Sequence, residues 1–248
     1  MTRIIILAAG KGTRMNCELP KVLVPLKGRP MIQYLMDEVK AAGVDSRPII
    51  VVSPDNKEIV SAALKGYEAE YVIQTKQLGT GQAVACARVA LTKDNKEIKN
   101  IVVLYGDHPF LKSASIRKFS AINSEVLTVM PTRLPDFEGW RQNFYHWGRI
   151  IKGLDGAVEK IVEFKDASEE EKLITEVNPG FMRFNKDWLF QNIDKLTNDN
   201  QPKEYYLTDM VKAAFEGGHP VGTMNIEPHE AMGINSLEEL EIAEGLLG

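Results

Sequence analysis

The sequence is short of the features that would settle its class at once. Only two cysteines, Cys17 and Cys86, stand among 248 residues. That is too few for a disulfide framework, and neither lies in a C-x-x-C or Cys/His cluster of zinc-site spacing; Cys17, in the first glycine-rich loop, reads as a structural or incidental thiol rather than a catalytic one. The four histidines, His108, His146, His219 and His229, form no metal-spacing pattern and are assigned no catalytic role. There is no excess of positive charge. Thirty basic against 34 acidic side chains leave a net of −4, which is not the global basic footprint of a nucleic-acid binder, so any phosphate must be met locally. No segment approaches the ~20 apolar residues of a membrane span, and the opening apolar run is too short, and too soon broken by glycine and lysine, for a signal-peptide core. A cytoplasmic protein is expected, with neither membrane nor nucleic acid as partner. Internal repeats and low-complexity linkers are also lacking. With 44% hydrophobic residues, the chain can bury a substantial core in one domain, residues 1–248.

What is present is concentrated in the first thirty residues. Ile4-Ile5-Ile6-Leu7 is a short apolar run rich in β-branched residues, and it ends in Ala8-Ala9-Gly10-Lys11-Gly12-Thr13-Arg14-Met15. This is the pattern of a buried parallel strand that stops at a small-residue loop. In an open α/β sheet, ligands sit beyond the carboxyl ends of the strands, where such a loop lets backbone N–H groups approach a phosphate. Lys11, Arg14 and Lys21 add local positive charge. The stretch matches no P-loop, since G-x-x-x-x-G-K-[ST] is absent. It is no dinucleotide motif either, because Met15 stands where a third small residue belongs and Asp55 lies too far along to bind a ribose.

Strand and helix patterns alternate downstream. Met31 to Ala42 reads as a helix with Ile32, Leu35, Met36 and Val39 on one face, Ile49 to Val52 as a buried strand, and Glu58 to Leu64 as a helix. Ala69 to Ile73 reads as a strand, Gln82 to Leu91 as a helix, and Ile101 to Leu104 as a strand that delivers Tyr105-Gly106-Asp107 to the same edge as the first loop. Such alternation predicts an α/β fold with a Rossmann-like, mainly parallel sheet. Val126 to Met130 continues it. Pro131 to Trp147, rich in prolines, charges and aromatics, breaks the rhythm and reads as an inserted loop or a lid over the cleft. Gly148 to Ile151 and Glu159 to Phe164 read as a hairpin around Asp155-Gly156, part of a small β-rich subregion. Asn178 to Phe184 reads as a strand, Asp187 to Leu196 and Glu204 to Phe215 as helices, and Val221 to Ile226 as a strand. Ser236 to Leu247 reads as a closing helix capped by Ser236, with Glu239 at the capping-box position.

The string from Leu7 to Leu23, L-A-A-G-x-G-T-R-M followed by P-K-x-L, resembles the sugar-1-phosphate nucleotidyltransferases. Further matches occur in that family's order: Gln74 to Gly81, Tyr105-Gly106-Asp107, Gly148-Arg149-Ile150, Ile161 to Ala167, Glu176-x-Asn178, Glu204 to Asp209, and Gly233-Ile234-Asn235. The resemblance spans nearly the whole chain and is strongest to the uridyltransferase domain of the bacterial bifunctional N-acetylglucosamine-1-phosphate enzymes. It implies UTP and a sugar 1-phosphate as partners and Mg²⁺ as cofactor. By it, Leu7, Ala8, Ala9, Gly10, Gly12, Lys21, Gln74, Gly79 and Thr80 would meet the nucleotide, with Gln74 reading the uracil edge by its two-sided amide and Gly79 through its backbone. Arg14 and Lys21 would be catalytic, and Asp107 and Asn235 would hold the metal. Tyr105, Gly148, Glu163, Asn178, Tyr206 and Thr208 would line the sugar pocket. Residues 1–125 would serve mainly the nucleotide and 126–248 mainly the sugar phosphate, in a monomer or small homo-oligomer.

No nucleophile or base is expected in such a reaction. A sugar 1-phosphate already carries most of its second negative charge near neutral pH, its second pKa being about 6. Catalysis then reduces to alignment and charge neutralisation as the sugar phosphate attacks the α-phosphorus of UTP and pyrophosphate leaves. Another nucleotide or sugar (dTTP, CTP, glucose 1-phosphate) and a non-catalytic sugar-nucleotide sensor are the alternatives. The chain departs from the family at Pro179, where threonine is usual, at Phe144-Tyr145-His146-Trp147, where a small Gly-Tyr pair is usual, and in a longer loop after Pro131. All three departures border the sugar side. The sequence holds no hexapeptide repeats, so a left-handed β-helix acetyltransferase domain is not expected of it.

Overall fold

The computed structural model describes the chain except residues 11, 13, 14, 16–18, 94–96, 124 and 248. Two of the expectations above, Arg14 as a catalytic residue and Cys17 as an incidental thiol, therefore lie outside the described residues. The elements, in chain order, are β1 (Thr2–Leu7), β2 (Pro25–Leu26), β3 (Arg29–Pro30), α1 (Met31–Ala42), β4 (Ile49–Val52), α2 (Lys57–Ala63), β5 (Glu70–Ile73), α3 (Thr80–Cys86), α4 (Arg88–Lys93) and β6 (Asn100–Tyr105). They continue with α5 (Ser113–Ser120), β7 (Leu127–Val129), β8 (Thr132–Arg133), β9 (Gly148–Lys152), β10 (Val158–Val162), α6 (Glu169–Lys172), β11 (Glu176–Asn178), β12 (Met182–Asn185), α7 (Lys186–Asn192), α8 (Asp209–Glu216), β13 (Val221–Thr223), α9 (Pro228–Ala231) and α10 (Leu237–Leu246).

Seven strands form the central sheet in the order β13-β7-β12-β6-β1-β4-β5. Among the described residues only β12 runs antiparallel to its neighbours, β6 and β7, so the sheet is mainly parallel, as the alternating pattern predicts. β1 lies inside it between β6 and β4, with Ile6 opposite Leu104 of β6 and Ile50 of β4. Its unbroken apolar run follows from burial on both faces. Ile4 and Ile6 pack with Leu35, Met36 and Val39 of α1 on one side, while Ile5 and Leu7 pack with Ala83 and Val84 of α3 and Met210 and Val211 of α8 on the other. A second, antiparallel sheet of four strands, β10-β9-β11-β8, stands beside the carboxyl end of this one.

Four expectations are corrected. The helix expected from Gln82 to Leu91 is two helices broken at Ala87. The strand expected from Asn178 to Phe184 is interrupted at Pro179-Gly180, which divides β11 in the small sheet from β12 in the large one. The helix expected from Glu204 begins only at Asp209, because residues 204–208 spend their backbone groups elsewhere: Tyr205 N–H donates to the Leu78 carbonyl and Gly81 N–H to the Tyr205 carbonyl, both at 2.8 Å. Residues 131–147 are not a lid. They contribute β8 and a 3-10 turn at Gly139–Phe144 whose Phe144 is fully buried, edge-on to Trp147 at 4.6 Å. The segment is a packed wall.

Arg149, on β9, holds that wall. It is fully buried and donates to the carbonyls of Tyr145 and Lys172 (2.7 and 3.0 Å) and of Trp147. Its guanidinium lies over the rings of Phe137, Tyr145 and Phe164, 4.8 to 5.7 Å from their centroids. Burial pulls its pKa below the ordinary value, and no carboxylate among the described residues offsets this. Carbonyl dipoles and aromatic faces take that place.

Candidate active site

The chain leaves β1 at Leu7 and keeps its line through Ala8, whose N–H donates to the Val51 carbonyl (2.8 Å) and whose carbonyl accepts from Asn56 Nδ2 (2.9 Å). Beyond these strand ends lies a cavity of about 480 Å³. Leu7, Ala8, Ala9, Gly10, Lys21, Gln74, Gly79 and Thr80 line it, which are all the residues expected to meet the nucleotide except Gly12. Gly12 instead lies behind Lys21: at φ +62°, a first side-chain carbon there would come within 2.7 Å of Lys21 Cβ. Glycine is what lets the loop pack on the segment that carries the lysine.

The opposite wall is the turn from Gln74 to Thr80. Gly79 has φ +107°, and a Cβ there would meet the Tyr205 carbonyl at 2.6 Å. Gln74 is buried, and its two amide hydrogens are both engaged, one on the Gly79 carbonyl (3.0 Å) and one on Gln82 Oε1 (2.6 Å). The expectation of a two-sided amide at the base is therefore corrected: Gln74 offers only its Oε1. Gln77, given no role on sequence, donates its amide to the Ala9 carbonyl across the cavity.

A second cavity, of about 300 Å³, adjoins the first and shares Lys21, Thr80, Tyr105, Asp107 and Glu204 with it. All six residues expected at the sugar line it: Tyr105, Gly148, Glu163, Asn178, Tyr206 and Thr208. The small sheet brings three of them together, since Gly148 pairs with Asn178 across β9 and β11, and Glu163 follows the end of β10. Thr208 Oγ1 donates to Glu163 Oε1 (2.9 Å), and Asn178 Oδ1 accepts from Gly180 N–H (3.0 Å). Burial, and after it the nearby acids Asp209, Asp166 and Glu204, push the Glu163 carboxyl up despite the Thr208 bond. Burial also raises the phenols of Tyr105 and Tyr206, with carboxylates nearby adding to it, so both stay protonated donors. The departures from the family pattern fall here too, with Asn143, His146, Trp147 and Pro179 on the same wall.

Where the cavities meet, Lys21 Nζ is ion-paired with Asp107 Oδ2 and donates to Asn235 Oδ1 at 2.9 Å. Asp107 arrives at the end of β6, and Asn235 comes from the loop before α10. Their backbones are tied by Ile234 N–H donating to the Asp107 carbonyl (3.0 Å). Ser236 caps α10 as expected, accepting from Glu239 N–H (3.2 Å). The Glu239 carboxylate, however, accepts from Asn235 N–H rather than from the cap residue, which ties Asn235 to the helix. Burial raises the Asp107 pKa, but the Lys21 ammonium and His108 outweigh it and hold the carboxyl well below the usual range. Sequence reasoning passed over His108. Its Nδ1 lies 3.1 Å from Asp107 Oδ1, and because a carboxylate only accepts, Nδ1 carries the proton. The ring is boxed by Tyr105, Trp147 and Phe181 at 5.9, 5.7 and 4.8 Å between centroids.

Two hard oxygens, Asp107 Oδ2 and Asn235 Oδ1, thus converge on one positive charge. Among the described residues no cluster of three or more His, Cys, Asp or Glu would hold an ion unaided. Mg²⁺ binds through one or two protein oxygens and completes its shell with water and substrate phosphates, so this donor set fits it. The junction thus sets the Lys21 ammonium between two adjoining cavities of about 480 and 300 Å³.

The chain belongs to the MobA-like NTP transferase domain family, which its residues 4–203 match. It is similar to the bifunctional protein GlmU of Caldicellulosiruptor saccharolyticus, 40% identical over 241 residues that make up 97% of this chain and 50% of that protein. It is likewise 40% identical to the bifunctional protein GlmU of Halorhodospira halophila over 242 residues, 97% of this chain and 48% of that one. The chain spans about half the length of these relatives. In fold it is similar to the inositol-1-phosphate CTP transferase from T. maritima, with a TM-score of 0.72 over 97% of this chain and 94% of that one, at 18% identity. The family resemblance carried by the motifs and the expected fold class are both borne out. No helix among the described residues is long and apolar enough to cross a membrane.

Proposed function

We propose that the chain condenses UTP with a sugar 1-phosphate, N-acetylglucosamine 1-phosphate first among them, to give the UDP-sugar and pyrophosphate. The observation that carries this is the junction: two cavities of different lining share one wall made of Lys21, Thr80, Tyr105, Asp107 and Glu204. In this reading residues 1–125 supply most of the nucleotide cavity and 126–248 most of the sugar wall, within one transferase domain. Gln74 Oε1 and the Gly79 N–H, neither engaged by any described group, would present an acceptor and a donor to the base. That pair is complementary to the N–H and carbonyl of a uracil edge. An oxygen of the sugar phosphate attacks the α-phosphorus, the new P–O bond forms as the bond to the β-phosphate breaks, and pyrophosphate leaves in line. Lys21 faces the charge that shifts in that step. Asp107 and Asn235 would hold Mg²⁺, which when bound neutralises phosphate charge. The buried donors and acceptors of Tyr105, Glu163, Asn178 and Thr208 would discriminate among hydroxyl and amide patterns on the sugar.

Pyrophosphate release is the test, with UTP, dTTP and CTP each offered against a panel of sugar 1-phosphates and inorganic phosphate as blank. Turnover should be highest with UTP and an N-acetylated hexosamine 1-phosphate. Nucleotide binding without release from any pair would instead make the chain a sugar-nucleotide sensor.

A further inference from the structure

His108 directly follows Asp107, and the proposed reaction gives it no part. Both side chains are buried, and His108 Nδ1 donates to Asp107 Oδ1 at 3.1 Å. No other hydrogen bond orients the ring among the described residues, since Nε2 is buried without a partner. That atom faces Gly233, where a Cβ would come within 2.7 Å of it. A ring turned over by 180° about its bond to Cβ would put the carbon Cδ2 where Nδ1 stands, and the bond to Asp107 would be lost. Tyr105, Trp147 and Phe181 flank the ring and limit its tilt.

The other oxygen of the carboxylate has a different task. Asp107 Oδ2 pairs with the Lys21 ammonium, which also donates to Asn235 Oδ1 at 2.9 Å. A divalent cation bound there competes with the ammonium for those two oxygens. The histidine bond is outside that competition, because it lies on Oδ1. We infer that His108 is a positioning residue for the cation: it holds Oδ1 and so leaves Oδ2 as the oxygen that Asp107 turns towards Asn235 and the metal. The inference rests on the reading that Asp107 and Asn235 hold Mg²⁺. Without the histidine bond, a cation taking Oδ2 would also have to order a carboxylate free to turn about its Cβ–Cγ bond. The backbones need no such help, since Ile234 N–H already ties the loop of Asn235 to the Asp107 carbonyl. What remains for His108 to set is the direction of the carboxylate, the usual work of a group hydrogen-bonded behind a metal ligand.

The experiment compares wild type with His108→Asn, His108→Gln, His108→Leu and Asp107→Ala in Mn²⁺ titrations of the protein alone, the free ion being read by electron paramagnetic resonance. The Mg²⁺ needed for half-maximal pyrophosphate release is the second readout. Asparagine carries its amide nitrogen on Cγ, as histidine carries Nδ1, whereas glutamine carries it one bond further out. His108→Leu and His108→Gln should weaken Mn²⁺ binding by about 10–100-fold, the scale of a partner lost from behind a metal ligand, and should raise the Mg²⁺ requirement alike. His108→Asn should keep most of the affinity. A ring that only fills its aromatic box predicts the reverse order, with leucine better tolerated than asparagine, and that result would overturn the inference. So would wild-type affinity in all three His108 variants, or an equal loss in all three, while Asp107→Ala loses the ion; the metal assignment would then stand without His108. If wild type binds Mn²⁺ no more tightly than Asp107→Ala and needs no less Mg²⁺, the metal assignment fails and takes the inference with it.

Discussion

At the residue scale, the site is distinguished by which charges it buries and what it sets beside them. Glu163 is the clearest case, because its raised pKa arises from burial first and from neighbouring acids next. The folded protein holds this proton more tightly than the unfolded chain does. Stability is therefore lost as pH rises from the ordinary glutamate range, about 4.3, through the raised value, and the penalty persists above it. Glu163→Gln still accepts from the Thr208 hydroxyl but carries no charge. The variant should melt higher than wild type at pH 7 and level with it below about pH 4, while binding the sugar 1-phosphate less well. Equal melting temperatures at neutral pH would show that the carboxylate is comfortably solvated. Much of this scale was legible in the sequence, since glycines and polar residues directly after apolar strands mark a ligand edge whatever else surrounds them. His108 and Gln77 were not. One meets the residue beside it and the other a carbonyl 68 positions away, and both contacts arise from the direction a side chain takes in space rather than from spacing.

At the scale of elements, the antiparallel sheet and the aromatic wall decide the shape of the second cavity, and Arg149 joins them. It stands opposite Val162 and Val177 in register, one position from each of Gly148, Glu163 and Asn178. Replacing it with methionine keeps much of the volume but strands the carbonyls of Tyr145, Trp147 and Lys172. Arg149→Met should cost about 2–4 kcal/mol in urea denaturation and raise the KM for the sugar 1-phosphate, leaving the KM for UTP near wild type. An equal rise in both would mean that Arg149 supports the fold as a whole and not this wall. The central strands were readable because burial on both faces writes itself into the sequence as an unbroken apolar run. Residues 131–147 and 204–208 were misread for a common reason. Their composition allows a lid or a helix, and the choice was made by partners outside each segment, the buried Arg149 guanidinium just beyond the first and the backbone of Leu78 and Gly81, far away in sequence, for the second.

At the scale of the whole molecule, the topology brings three distant parts of the chain to one point. Lys21 follows β1, Asp107 follows β6, and Asn235 precedes α10 more than 200 residues after the lysine, yet all three meet in one network. The small sheet then closes a second cavity against the first, so that a nucleotide phosphate and a sugar phosphate would share the ammonium of Lys21. In the proposed reaction a lysine placed there would act on charge that moves during the step more than on charge already present. The most direct test is kcat for wild type and Lys21→Ala at saturating UTP, N-acetylglucosamine 1-phosphate and Mg²⁺. We expect UDP-N-acetylglucosamine from the wild type and a kcat lower by about 10²–10³ in the variant, with a smaller change in the KM for UTP. A variant with unchanged kcat, or one whose whole defect is recovered by raising UTP, would contradict the account.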